Sequence, residues 1–502
     1  MQRVAVADLG SNSFRLVVYG YEPGRWWAHA DEIREAVRIS EGIGDDGALQ
    51  PEPMRRALRT VAVFDAFCHA TGVDGVEAVA TSAIRDATNR DELLGAIAER
   101  TDLPVRVLST ADEARYGYLA IVNSTTLADG FGLDIGGGSV QAMRIEGRRL
   151  AEHASWPMGS VRMSERFLPG DEAGSKALKA LRKHVAKQLA EADWITPAGG
   201  RIVGIGGTIR NLAAAGERQA GVDHPDAQGY LLTRDALGDL VDRLASMPVA
   251  GRGAVPGIKP DRGDVILGGA AVLAAVMDEG GFAELEVTEA GLREGVFFER
   301  FLERDPPLLP DVRRASVENL AARYQDDLEH PRRVAALSEQ LLEGLASHGL
   351  YEPGEDDREL LWAACLLHDI GVAVDYDDHH KHSRYLILNA GLPGFTPREV
   401  ELIALVARYH RKGTPDTGEL GKLARKGDDR RLAVLAGTVR LAEQFERSRD
   451  GAVRRVDLQP DDGRVVVTPD ASKRASVAIW SARRNADLLA QAIDRDVDIA
   501  DA

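Results

Sequence analysis

Two phrases of the same kind stand 126 residues apart, DLGSNSFRLVVY beginning at Asp8 and DIGGGSVQAMRI beginning at Asp134. In each, a carboxylate is followed by a tight Gly/Ser turn. Glycine and serine let backbone N–H groups come close to an anion, and the leading Asp can hold a cation or a water beside it. Two such loops set face to face make a clamp for a phosphate group and its metal ion.

The surrounding pattern has to position that clamp. Residues 3–9 and 14–21 are β-rich runs joined by the Gly10–Ser13 turn, a hairpin with the first phrase at its tip. Helical periodicity over 55–71 and 91–100, a strand over 75–80 leading into TSAIRDATN, a strand over 105–108 and a helix over 111–123 predict a mixed α/β sheet. The pattern then restarts: strands over 131–135 and 140–145 flank Gly136–Ser139, and a long helix covers 173–192. Strand 201–205 ends in GIGGTIRNLAA, and helix 264–277, strand 284–288 and GLREGVFFERF close the segment. The first 300 residues therefore read as a duplicated α/β domain with the two phrases in equivalent places. Around Asp305–Pro310, ERDPPLLP reads as a linker, and helices are predicted beyond it over 312–324, 332–348, 357–368, 396–409 and 432–447. Strands within 453–469 flank an Asp461-Asp462-Gly463 turn, and a last helix covers 486–495.

Composition bounds the function. A chain of 502 residues exceeds one core and suggests several domains. No apolar run is long enough to span a membrane, and MQRVAVADLG reads as a strand rather than a signal peptide. Two cysteines, Cys68 and Cys365, fit a reducing compartment, so the cytoplasm is expected. A net charge of −17 argues against sequence-independent nucleic-acid binding. Basic residues are nevertheless concentrated between Arg408 and Arg431, either as a solvated helix face or as a groove for a linear anion.

The paired Asp-plus-turn phrases resemble the ribonuclease H-like ATPase fold shared by acetate and sugar kinases, Hsp70 and actin. More finely, DLGSNSFRLVV at Asp8, ATSAIRDATN at Ala80, ADEAR ending at Arg115, DIGGGS at Asp134, GIGGTIRNL at Gly204 and LLHDIG at Leu366 resemble, in order, the exopolyphosphatase and guanosine pentaphosphate phosphatase family. The resemblance implies that Asp8 and Asp134 hold Mg²⁺, and that Ser11, Asn12 and Ser13 with Gly136, Gly137, Gly138 and Ser139 line the terminal phosphates. It also implies that Thr81, Ser82 and Arg85 add donors, Arg85 as a fork on a phosphoryl oxygen, and that Gly207 and Thr208 complete the cradle. Glu113 matches the family's catalytic glutamate, which would orient and deprotonate the attacking water. Taken alone, Asp112 and Glu113 would only suit a helix N-terminus.

The family usually carries a glutamate just after DIGGGS, where this chain has Gln141. An amide hydrogen-bonds but neither accepts a proton nor neutralises a cation, so reduced rather than absent hydrolysis is expected.

In the second half, His330, the adjacent His368-Asp369, HHKHS and YHRK resemble an HD domain, a helical fold that often binds metal and hydrolyses phosphate esters. An adjacent His-Asp at a helix end and a His on an earlier helix can converge on one ion. The superfamily's last aspartate ligand is replaced by Glu443, and the histidines could equally be packed or bind anions. In the resembling family this module is associated with substrate binding and dimer formation, and His382, His410, Arg411 and Lys412 would contact a polyanion.

The expectation is an α/β chain of duplicated ribonuclease H-like domains over 1–124 and 125–304, an all-α HD-like domain over 311–449 and a small α+β subdomain over 450–502. The activity expected is Mg²⁺-dependent release of terminal phosphate from inorganic polyphosphate by a homodimer. Guanosine pentaphosphate hydrolysis, a sugar or acetate kinase, and a weakly catalytic polyphosphate or alarmone sensor are the competing readings.

Overall fold

The computed structural model of the chain describes residues 1–502 apart from 45, 196–197, 223, 304, 473–474 and 502. The expected boundaries at 304 and 502 lie outside the described residues. The chain divides into two compact units, Met1–Val312 and Arg313–Ala502.

In the first unit, β1 (Gln2–Leu9) and β2 (Phe14–Glu22) form the expected hairpin. Most of β1 is buried on both faces, which is why it reads as a nearly continuous apolar run rather than an alternating one. With β3 (Trp26–Glu35), β4 (Gly75–Ala80) and β5 (Val105–Val107) the strands make one sheet in the order β3-β2-β1-β4-β5. A second sheet, in the order β10-β11-β9-β6-β7-β8, comprises β6 (Gly130–Ile135), β7 (Val140–Glu146), β8 (Arg149–Trp156), β9 (Ile202–Ile205), β10 (Leu231–Thr233) and β11 (Glu284–Val287).

The repeat is topological as well as textual. β1 pairs antiparallel with β2 and parallel with β4, and β6 pairs antiparallel with β7 and parallel with β9. Asp8 is the penultimate residue of β1 and faces Arg15 across the hairpin; Asp134 is the penultimate residue of β6 and faces Gln141. The two carboxylates thus occupy equivalent places. Sequence periodicity overlooked β3 and β8, the third strand of each antiparallel set. Both are sheet edges carrying polar and half-exposed side chains, so they lack an apolar signal.

Helix Thr110–Val122 starts at a capping box: Asp112 N donates to Ser109 Oγ at 3.1 Å, and Ser109 N donates to Asp112 Oδ2 at 3.0 Å. This local chemistry fixes the first turn and puts the next residue, Glu113, on a buried face. Helix Leu292–Leu302 packs on it, with Phe297 stacked on Tyr19 at 4.3 Å between ring centres. The close approach requires a glycine, because a Cβ at Gly295 would strike the Tyr116 carbonyl. Helix Ile266–Gly280, expected over 264–277, is buried nearly all round and forms the middle of the second lobe's core.

The second unit gathers helices Val312–Tyr324, Glu329–Ser347, Asp357–Leu367, His379–Ala390, Pro397–Tyr409 and Asp428–Phe445. Beyond them β12 (Val453–Asp461) and β13 (Arg464–Ala471) form the expected hairpin, and β14 (Asp496–Ile499) adds a third strand parallel to β13. Helix Asp487–Ile493 falls within the helix expected over 486–495, and helix Ser476–Arg483, which was not expected, precedes it. Leu458, Val465, Val467, Leu489 and Ile499 share one apolar core with Leu341, Leu366 and Leu435. The stretch over 450–502 is therefore part of the helical unit's core, where the sequence reading set it apart as an accessory subdomain. The separation followed the strand-to-helix change in periodicity, which does not report what the strands pack against.

Replacing Gly295 by Ala is expected to destabilise the chain by about 3 kcal/mol, because the obstacle is backbone rather than a flexible side chain. Gly238, inside helix Arg234–Ala245 with open space around it, serves as the control: Gly238→Ala is expected to stabilise by roughly 0.5–1 kcal/mol. Urea unfolding of both variants measures the contrast, and equal effects would show that the glycine at 295 is not set by this contact.

Candidate active site

The two turns face one another. A Cβ at Gly138 would come within 2.7 Å of Ser82 Oγ and 3.0 Å of Ser11 Oγ, and the Ser11 and Ser82 hydroxyls lie 3.4 Å apart. The carbonyl oxygens of both turns, which would repel an anion, are occupied elsewhere. Arg38 N and Ser40 N donate to the Asn12 and Ser11 carbonyls at 2.9 and 3.4 Å, and Ser160 N and Val161 N donate to those of Gly136 and Gly137 at 2.9 and 3.0 Å. A third junction closes the site at Gly206, the N-cap of helix Gly207–Ala220. Its φ of 93° and its contact with Asp134 Oδ1 leave no room for a side chain.

Between these loops opens a cleft of about 520 Å³. Asp8, Glu113 and Asp134 all line it. Burial pushes the Glu113 carboxyl up to about 7; the Arg85 guanidinium opposes this, while Asp134 and Asp8 reinforce it. Burial and then Asp8 push Asp134 up to about 6. Asp8 is raised by burial and held back by Arg293, whose Nη1 lies 3.1 Å from Asp8 Oδ2. Glu113 is gripped from both sides. Arg85 Nη1 donates to Oε1, and Gln141 Nε2 donates to Oε2 at 2.6 Å while also reaching Ser139 Oγ at 2.8 Å.

Three expectations change here. Arg85 was expected to fork onto a phosphoryl oxygen; its Nε and Nη1 are engaged by Asp86, the Leu108 carbonyl and Glu113, so in this arrangement it positions Glu113. Thr208 was expected in the phosphate cradle; its side chain is buried against Gly269 and does not line the cleft, leaving Gly207 there. Gln141 is more than a missing charge, because its amide is a donor that holds the Glu113 carboxylate. Ser11, Asn12, Ser13, Thr81, Ser82, Gly136, Gly137 and Ser139 line the cleft, while Gly138 borders an adjoining pocket.

A basic wall escaped the sequence reading altogether. Arg15, Arg34, Arg210, Lys259, Arg262 and Arg293 line the same cleft. Arg15 and Arg34 pair with Glu32 and Asp261. Arg262 is pushed down to about 10 by burial, with Arg34 and Arg210 adding to it, and Lys259 is lowered by burial and four neighbouring arginines. Cations that depress one another in a cleft are poised for a multiply charged anion. These residues come from separate strands, loops and helices, so no single local motif announces them as a set; Arg15, Arg210 and Arg293 lie inside the quoted phrases DLGSNSFRLVV, GIGGTIRNLAA and GLREGVFFERF, where none of them was given a role.

In the second unit, His330, His368, Asp369 and Glu443 come together, all buried. His410, expected as a polyanion contact, is buried and belongs to this cluster. Arg411 lies over the Tyr376 ring, and Lys412 Nζ pairs with Asp378 at 3.0 Å. His382 is half-buried on helix His379–Ala390.

A model of the Ppx/GppA phosphatase family matches residues 28–304, and one of Ppx/GppA phosphatase domain III matches residues 312–465. The first match begins beyond the Asp8 loop, whose place in the site rests on the geometry above. A solved structure of the Aquifex aeolicus member of the Ppx/GppA family is 28% identical, with 60% of this chain and 98% of that one covered and a TM-score of 0.53. An exopolyphosphatase from Cytophaga hutchinsonii has the same fold over 60% of this chain and 98% of its own, at 24% identity and a TM-score of 0.55. This chain belongs to the Ppx/GppA phosphatase family and is a phosphoanhydride hydrolase.

Proposed function

We propose that the chain is an exopolyphosphatase that releases terminal phosphate from inorganic polyphosphate, with Glu113 as general base. The observation that carries this reading is the cleft's polarity: a carboxylate cluster at the loops and a row of cations beside it, among which Lys259 and Arg262 are lowered by burial and by neighbouring arginines. The terminal phosphate sits between the turns, and Arg15, Arg34, Arg210, Lys259 and Arg262 hold the following units. Glu113 takes a proton from water as the water oxygen attacks the terminal phosphorus in line with the departing bridging oxygen. The new P–O bond forms as the P–O bond to the chain breaks, and the electron pair leaves on a shortened polyphosphate held by the cations.

Asp8 and Asp134 fit Mg²⁺, being two hard carboxylate donors that burial and mutual repulsion disfavour as bare anions. When bound there, the ion would neutralise charge developing on the phosphoryl oxygens. Arg85 and Gln141 orient the Glu113 carboxylate and keep a lone pair directed at the water.

Hydrolysis of guanosine pentaphosphate is favoured by one observation of its own. Glu217, His224 and Asp226 line the same cleft, and buried Glu217 Oε1 and His224 Nε2 have no hydrogen-bond partner. Glu217 lies ten residues along the helix that starts at Gly207, roughly 15 Å at the helical rise, a span suited to a nucleoside beyond a phosphate chain. Phosphate release from long polyphosphate, short polyphosphate and guanosine pentaphosphate, with Mg²⁺ and with a chelator, separates the readings. Higher kcat/KM on long polyphosphate and loss of turnover with the chelator are expected. A tenfold preference for the pentaphosphate that Glu217→Ala abolishes would transfer the assignment.

Glu113→Gln is expected to lower kcat by about 10²–10⁴-fold with little change in KM, measured by phosphate release. Undiminished turnover would remove Glu113 from the base role.

Because the base acts ionised and Glu113 titrates near 7, kcat/KM should fall about tenfold per unit as pH drops below about 7. Gln141→Glu replaces a donor 2.6 Å from the base with a second carboxylate, so the acidic limb of the profile should move up by about one pH unit or more. An unmoved limb would mean that the titrating group is not Glu113.

A further inference from the structure

Behind the loops that face the cleft lies a second space. Ser11 and Gly137 line the cleft on one side and, on the other, a pocket of about 250 Å³. The partition between them is built from Ser11, Ser82, Gly137 and Gly138, with Ser82 on the cleft side and Gly138 on the pocket side. None of the four carries more than a hydroxymethyl group. The Ser11 and Ser82 hydroxyls meet at 3.4 Å, longer than an ordinary O–H···O hydrogen bond, so the contact that closes the partition is weak. The glycines keep it thin: a Cβ at Gly137 would stand 3.1 Å from Ser11 Cβ, and one at Gly138 would stand 2.7 Å from Ser82 Oγ. Among the described residues, Gly137 N and Gly138 N donate to no backbone oxygen, which leaves donors for an anion in the partition itself.

The two spaces hold an anion differently. The cleft presents Arg15, Arg34, Arg210, Lys259 and Arg262, whereas the pocket presents Arg162 as its one cation, with Asp86 and Glu165 beside it. Arg162 Nη2 lies 4.0 Å from Asp86 Oδ2, and their side chains are 46% and 49% exposed, so the pocket opens to solvent at this pair. Asp86 is also engaged by Arg85 Nε at 3.1 Å. A single guanidinium flanked by carboxylates draws an anion without retaining it. That is the behaviour of an exit rather than of a substrate site.

The exopolyphosphatase reading, on which this inference rests, makes an exit necessary. When the terminal P–O bond breaks, orthophosphate lies between the turns with the shortened chain in front of it. The front route stays blocked for as long as the cations hold that chain. We propose that orthophosphate leaves rearward: the Ser11–Ser82 contact parts, the anion passes Gly137 and Gly138 into the pocket, and Arg162 draws it to solvent. The shortened chain meanwhile stays on the cations and advances by one unit. The pocket is thus a transit site for orthophosphate, distinct from the site that binds the chain.

Two variants of the full chain test the route without altering the partition. Ala87→Leu fills the pocket, which Ala87 lines, and Arg162→Glu reverses the charge at its mouth. Long polyphosphate is digested partway and its chain lengths are resolved on a gel, beside phosphate release from tripolyphosphate, whose short product leaves by the front and clears that way. The wild type is expected to shorten long chains with few free intermediates. Both variants should give a ladder of intermediates and a kcat on long polyphosphate lowered about tenfold, with less than about a twofold change on tripolyphosphate, because release of product becomes limiting only while the chain blocks the front. Equal loss on both substrates, or a ladder already present in the wild type, would overturn the route. Polyphosphate turnover that neither variant alters defeats the route alone, whereas a wild type that leaves polyphosphate intact defeats the exopolyphosphatase reading and the route with it. Should Ala87→Leu fail to fold, Arg162→Glu decides, since it changes a half-exposed side chain.

Discussion

Three carboxylates, Asp8, Glu113 and Asp134, are brought into one partly dehydrated cleft, and their mutual repulsion is the constraint around which the first unit is arranged. Burial raises all three, and each is made worse by another acid nearby. Separate elements answer them individually. Arg293 arrives on helix Leu292–Leu302 to meet Asp8, and Arg85 and Gln141 meet Glu113 from β4's end and from β7. Among the described residues no side chain pairs directly with Asp134. The place left over is the one a metal ion would take, beside the glycine whose missing side chain lets Asp134 approach.

The helix bearing Glu113 shows how adjacent acids acquire different work. Asp112 and Glu113 share a first turn, yet Asp112 is half-buried and satisfies the Ser109 cap, whereas Glu113 is 6% exposed and titrates near neutrality. The helix start is specified by the cap alone. The function of the next residue then follows from register, because one step around the helix turns from solvent to cleft. Packing of Gly295 against the Tyr116 carbonyl holds that register from the far side and ties Arg293 to the same framework.

Much of this was legible because it is local. Turn chemistry at Gly10–Ser13 and Gly136–Ser139, the apolar runs of β1 and β6 and the duplicated order required only neighbours in sequence. The basic wall and the Arg293–Asp8 pair were not legible, since the latter spans 285 residues and leaves no local spacing to detect. Gln141 was visible as a departure but not interpretable: loss of charge is a sequence fact, whereas donation to Glu113 depends on the Asp134↔Gln141 register. His379 and His410 misled for a similar reason. Histidines beside Arg and Lys read as a cationic surface, and only the helix ends reveal that the rings turn inward while Arg411 and Lys412 turn out.

The amide at Gln141 has an energetic consequence that the family's usual glutamate would reverse. A carboxylate at that position would add another negative group to a cleft where Asp8 and Asp134 already raise Glu113, and it would need a cation to offset it. Gln141 instead donates to Glu113 and Ser139 together, so it steadies that carboxylate and the Ser139 hydroxyl without adding charge. A donated hydrogen bond favours the ionised form of the carboxylate that accepts it, and the Arg85 contact opposes burial at Glu113. A site built this way calls for no cation beside residue 141, which places the distinctive feature of this chain in how it holds Glu113.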